Sequence, residues 1–99
     1  MKSITTDELR ALLENGRKIE LVDVREDEEV ALGMVPGAKH IPLGQLPERF
    51  VELENTGPVY LICKAGKRSA KACEFLESQG IETVNVEGGM MSWNGEAAS

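Results

Sequence analysis

The chain has 99 residues, 41% of them apolar, and carries 17 Asp and Glu against 11 Lys and Arg, a formal charge of −6. Such a length and composition suit one small folded domain over residues 1–99 with a real but modest core, and exclude a disordered chain. The acidic balance argues against a nucleic-acid surface, two cysteines and one histidine are too few for the usual zinc cage, and no apolar run nears the roughly 18 residues that span a membrane.

The start, MKSITTDELRALL, has no continuous apolar stretch of the kind a secretory leader needs, so a cytoplasmic chain is expected. In that setting a structural disulfide between the two cysteines is not expected. Ile4 belongs to a short first strand. Thr5 followed by Glu8 is a capping-box pattern at a helix start, Leu9, Leu12 and Leu13 share one helical face, and Gly16 ends the run. Ile19 to Val24 reads as a strand, followed by a short acidic-led helix from Asp27 to about Leu32. Pro36-Gly37 makes a turn, and His40-Ile41-Pro42 is a brief extended piece. Leu46, Phe50 and Leu53 fall at i, i+4 and i+7 and predict a helix with Pro47 in its first turn. Val59 to Ile62 suits a strand buried on both faces. Ser69 to Gln79 reads as a helix with Ala72, Cys73 and Leu76 on one stripe and Gly80 as its stop. Thr83 to Val86 is a last strand, and Gly88-Gly89 turns the chain into a short helix carrying Trp93.

Strands alternating with helices imply crossover connections. The expected fold is therefore α/β, a small parallel sheet of about five strands with helices on both faces.

Cys63 stands just past the C-terminal end of the predicted central strand, the edge at which open α/β sheets place their ligands. Lys64, Ala65, Gly66, Lys67 and Arg68 separate it from the next helix. A short loop with a glycine can curl its N–H groups inward into an anion-binding nest, and the helix N-terminus adds partial positive charge. The other helix starts carry their own acids: Asp7 and Glu8, then Asp27, Glu28 and Glu29, then Glu48. This one has none and places Lys67, Arg68 and Lys71 there instead. Its missing anion is expected from outside, as the Cys63 thiolate, a substrate or both. Electropositive loops lower a thiol's pKa, so Cys63 is read as a nucleophile.

The loop Cys63-Lys64-Ala65-Gly66-Lys67-Arg68-Ser69 resembles the six-residue active-site loop that follows the cysteine of rhodanese domains, a sulfurtransferase family. "LVDVRE" at 21–26, "GMVPGAKHIPL" at 33–43 and "VEGGMMSW" at 86–93 resemble further motifs of that family, in the same order. Two positions depart from it: Met34 stands where members often have histidine, and Lys64 where arginine is frequent. The resemblance implies that the Cys63 thiolate takes sulfane sulfur from a small anionic donor such as thiosulfate. The resulting persulfide would hand its sulfur to cyanide, a small thiol or a protein thiol. Residues 64–69 would bind the donor, with Lys67 and Arg68 attracting it, and no metal or organic cofactor is implied. The Ser69 hydroxyl has two open roles, donating to sulfur or capping the helix.

Two other classes are weighed against this. A sulfur carrier or regulatory module with little turnover would keep the same fold. Phosphatases and arsenate reductases need a longer loop: in the Cys-x5-Arg pattern the arginine would fall at position 69, which is Ser69, and Arg68 comes one residue early. Cys73 is read as a core residue. His40 is read as packed rather than catalytic, and Asp23 with Arg25 as structural partners. Trp93 is expected to cover the core, and Met90 and Met91 to pack, one of them lining the mouth of the site.

Overall fold

Thr5 and Glu8 close a reciprocal cap at the start of α1 (Thr6–Glu14). Thr5 Oγ1 accepts from the Glu8 N–H at 3.1 Å, and Glu8 Oε1 accepts from the Thr5 N–H at 2.9 Å. The computed structural model describes residues 1–53 and 57–98. Its strands are β1 (Lys2–Thr5), β2 (Glu20–Asp23), β3 (Lys39–His40), β4 (Val59–Ile62) and β5 (Thr83–Glu87). They form one sheet in the order β1-β5-β4-β2-β3 with every pairing parallel. The other helices are α2 (Asp27–Val30), α3 (Leu46–Arg49), α4 (Lys67–Ser78) and α5 (Gly89–Ser92).

Alternation along the strands splits the core between the two sheet faces. On one face Val22, Val24, Val59 and Leu61 pack with Ile41, Leu46, Leu53 and the expected α4 stripe of Ala72, Cys73 and Leu76. On the other, Leu21, Ile62 and Val86 pack with Leu9 and Val35, and Met90 and Trp93 close over them. β4 is thus buried from both sides, which explains its unbroken apolar sequence. Among the described residues no helix is long and apolar enough to cross a membrane.

Two differences from expectation bear on the packing and the site. The Leu46–Leu53 helix divides into α3 and a 3-10 turn, Phe50–Leu53. The tighter turn still sends Leu46 and Leu53 into the core and stands Phe50 edge-on to Phe75, ring centres 5.6 Å apart. α4 begins two residues before Ser69, because Gly66 adopts φ +103° and serves as its N-cap. Ser69 therefore lies inside the first turn, and its capping role drops out.

Candidate active site

A parallel sheet delivers all its strand ends to one edge. The chain leaves β4 there at Cys63, which is only 1% exposed, and loops into α4 through Lys64, Ala65 and Gly66. The left-handed backbone of Gly66 turns its N–H back onto the sulfur, donating to Cys63 Sγ at 3.0 Å. Ser69 Oγ lies 3.3 Å from the same sulfur. Burial is the largest single influence on the thiol and pushes it up. The Ser69 hydroxyl and the N–H groups of Ser69, Gly66 and Ala65 together outweigh that, and the net direction is downward. Hydrogen-bond donors are the leading groups that favour the thiolate.

The glycine pair at 88–89 explains how the loop holds this shape. α5 presents its first free N–H groups to the loop: Met90 donates to the Cys63 carbonyl at 2.8 Å and Met91 to the Lys64 carbonyl at 2.9 Å. With those carbonyls engaged by α5, the loop is left to offer amides to the sulfur. Gly89 has φ +56°, and a Cβ there would lie 2.6 Å from the Lys64 carbonyl. Only glycine allows this approach.

The cations behave unequally. Lys64 and Lys67 are exposed and have no ion pair among the described residues. Arg68 is half-buried and forms a two-pronged pair with Glu29 on α2, at 2.6 and 2.8 Å. The Arg68 guanidinium brings the Glu29 carboxyl down to about 2. Arg68 thus holds α2 against α4, and among the described residues Lys64 and Lys67 remain the free positive charges of the loop.

Asp23 and Arg25 form a buried pair at the end of β2. Arg25 Nη2 meets Asp23 Oδ2 at 2.9 Å and the Gly33 carbonyl at 2.7 Å, and the Arg25 N–H donates to Asp23 Oδ1 at 3.0 Å. The pair fixes the segment that carries α2, and so the position of Glu29. His40 Nε2 lies 2.7 Å from the Arg25 carbonyl, which engages the ring in the same scaffold. Cys73 is fully buried, and burial pushes its thiol up. A cavity of about 250 Å³ beside the loop is lined by Arg25, Glu29, Leu32, Lys64, Met90 and Met91. Both methionines line it.

Two residues at the site escaped the sequence reading, Glu29 and Asn85. Asn85 Oδ1 accepts from Ser69 Oγ at 2.6 Å, from across the sheet edge on β5. Glu29 carried a signal, since it was read as one of three acids opening a helix. Asn85 carries no such signal, standing as one polar residue in a short strand.

The family model described as "Rhodanese-like domain" matches residues 5–96. The chain belongs to the rhodanese-like domain family. The Bacillus subtilis protein YtwF is 48% identical over 96 residues, covering 97% of this chain and 93% of YtwF. A protein of Allochromatium vinosum named "Sulfurtransferase" is 34% identical over 94 residues, covering 94% of this chain and 88% of its own. A crystal structure of a rhodanese-like domain protein from Staphylococcus aureus superposes with a TM-score of 0.93 at 46% identity, covering 99% and 97% of the two chains. Rhodanese-like relatives therefore share both the parallel sheet and nearly the whole length.

Proposed function

We propose that this chain is a single-domain sulfurtransferase of the cytosol that carries sulfane sulfur on Cys63. The observation that supports it best is the sulfur's surroundings: a buried thiol facing a hydroxyl and inward-turned amides, in a loop with two unpaired lysines. The Cys63 thiolate attacks the outer sulfur of thiosulfate. A new S–S bond forms, the donor's S–S bond breaks, and sulfite leaves with the bonding electron pair. The product is Cys63–S–S⁻, with charge conserved. An acceptor thiolate then attacks the terminal sulfur, takes it as its own persulfide and returns Cys63 to the thiolate.

The residues have distinct work. The N–H groups of Ala65, Gly66 and Ser69 and the Ser69 hydroxyl stabilise negative charge on either sulfur form. Lys64 and Lys67 draw the anionic donor, while Arg68 acts mainly through Glu29. The same pairing weakens the phosphatase alternative, because the loop's only arginine is turned to Glu29 and the position that alternative requires is a serine.

Incubation with thiosulfate followed by intact-mass measurement tests the proposal. One added sulfur atom, removed by a small thiol and absent from Cys63→Ala, is expected. Turnover of an aryl phosphate with no sulfur adduct overturns it.

A further inference from the structure

Thr83 and Asn85 point from β5 toward α4, the apolar side of the sheet on which Leu61, Ala72 and Leu76 pack. An aliphatic residue would fill that place at less cost, since a buried amide must find partners or lose stability. Asn85 is 7% exposed, and both of its side-chain hydrogen bonds go to the cysteine loop. Oδ1 accepts from Ser69 Oγ at 2.6 Å, and Nδ2 donates to the Gly66 carbonyl at 3.4 Å. Those two residues also touch the Cys63 sulfur.

Counting protons shows what the amide does. The Ser69 hydroxyl has one proton and three acceptors in reach: Asn85 Oδ1 at 2.6 Å, the Gly66 carbonyl at 3.2 Å and Cys63 Sγ at 3.3 Å. The shortest contact gives the proton to Asn85, and a protonated thiol then donates its S–H to Ser69. That chain is complete only while Cys63 is a thiol. A thiolate has no proton to give, so the Ser69 proton must swing to sulfur. Asn85 Oδ1 would then face a lone pair at close range. Rotating the amide by half a turn puts Nδ2 in its place, donating to Ser69, and gives up the long 3.4 Å bond to the Gly66 carbonyl, which keeps the Ala70 N–H at 3.2 Å. A carboxylate could not do this, and neither could an aliphatic side chain.

We propose that Asn85 is a positioning residue that sets the charge state of Cys63 through Ser69, accepting the hydroxyl proton beside the thiol and donating to the hydroxyl beside the thiolate. This rests on the reading of Cys63 as the reacting thiol, but its test needs no sulfur donor. The thiosulfate adduct above judges that reading separately.

The experiment follows Cys63 ionisation by the pH dependence of its alkylation with iodoacetamide, located by mass, in a double-mutant cycle. Asn85→Asp, which only accepts when ionised, holds the Ser69 proton away from sulfur and lowers the acid constant of Cys63 about tenfold. In a Ser69→Ala background the same substitution acts only through its field and has a clearly smaller effect. Asn85→Leu, which adds no charge, shifts the constant with Ser69 present and leaves it unchanged with Ser69→Ala, and it carries the test if the aspartate variant does not fold. Shifts that are equal in the two backgrounds, or absent from both, overturn the proposal.

Discussion

Arg68 reaches 39 positions back along the chain to grip both carboxylate oxygens of Glu29, Nη1 to Oε1 at 2.6 Å and Nη2 to Oε2 at 2.8 Å. The contact ties α4, which begins at the cysteine loop, to α2, which the Asp23–Arg25 pair holds in place. Glu29→Gln keeps the shape and removes the charge, with an expected stability loss of about 1 kcal/mol for a half-exposed pair. The pH dependence has a definite sign. Glu29 is held at about 2 when folded against 4.5 ordinarily, so its contribution is whole above 4.5 and is lost as pH falls toward 2. Urea denaturation at about pH 7 and about pH 3 checks it: the variant falls short of the parent at the first and approaches it at the second. A gap that stays constant would show that Glu29 acts by packing alone.

Asp23 is fully buried and Arg25 nearly so, which makes their pair sensitive to half-removal. Arg25→Met strands a buried carboxylate and is expected to cost about 3–5 kcal/mol. Adding Asp23→Leu recovers much of that loss, because the cost lies in the unpaired charge. Urea midpoints of the two variants give the comparison, and a double variant no better than the single one would contradict it.

The sequence was most informative where structure is local. The Thr5–Glu8 cap, the glycine in the cysteine loop and the apolar run of β4 each follow from residues within a few positions of one another. Gly88-Gly89 was legible as a turn, but its effect on the Cys63 and Lys64 carbonyls was not, since that contact depends on β5 lying beside β4. Glu29 and Asn85 were hidden for the same reason: their partners Arg68 and Ser69 are distant in the chain and adjacent only once the sheet is assembled. The inward-turned amides follow from the loop's glycine and its place at the sheet edge, but the pairing of Arg68 with Glu29 does not, since α2 and α4 meet only in the folded chain.

Under the proposed function, Lys64 and Lys67 carry the long-range attraction for an anionic donor. Changing both to alanine is expected to raise the KM for thiosulfate about fivefold, two exposed charges each acting through solvent. It also flattens the salt dependence of that KM. Arg68→Lys keeps the charge, loses the fork to Glu29, and lowers stability more than it changes KM. Steady-state kinetics at several ionic strengths decide between these roles. An unchanged salt response in the double alanine variant would remove the lysines from donor capture.

In the proposed reaction sulfur uptake requires the thiolate, so its rate is expected to rise with pH and level off above the Cys63 midpoint, which lies below that of an ordinary thiol. Ser69→Ala removes one donor to the charged form and moves the midpoint upward. Below it, about tenfold less thiolate is available. The plateau rate changes less, since the sulfur is ionised there in either chain. Rapid-mixing measurements of sulfite release against pH give both quantities. A midpoint that stays put with a lowered plateau would assign Ser69 to donor positioning instead.

Gly89 is the position where backbone conformation and thiol chemistry are most tightly joined. Gly89→Ala forces a side chain into φ +56° and against the Lys64 carbonyl, so the two hydrogen bonds from α5 to the loop cannot both survive. Stability should fall by about 2 kcal/mol or more. The Cys63 midpoint should rise, because burial still disfavours the thiolate while the amides that offset it lose their anchor. Gly16→Ala is the matched control: φ is +76° there and a Cβ meets nothing within 4 Å, so the backbone strain is present without the collision. It should cost about 1 kcal/mol and leave the thiol titration where it was. Alkylation rates against pH, read beside urea midpoints, separate the two effects. If both variants lost stability and neither moved the thiol, the α5 clamp would be structural only, with no part in holding the amides on sulfur.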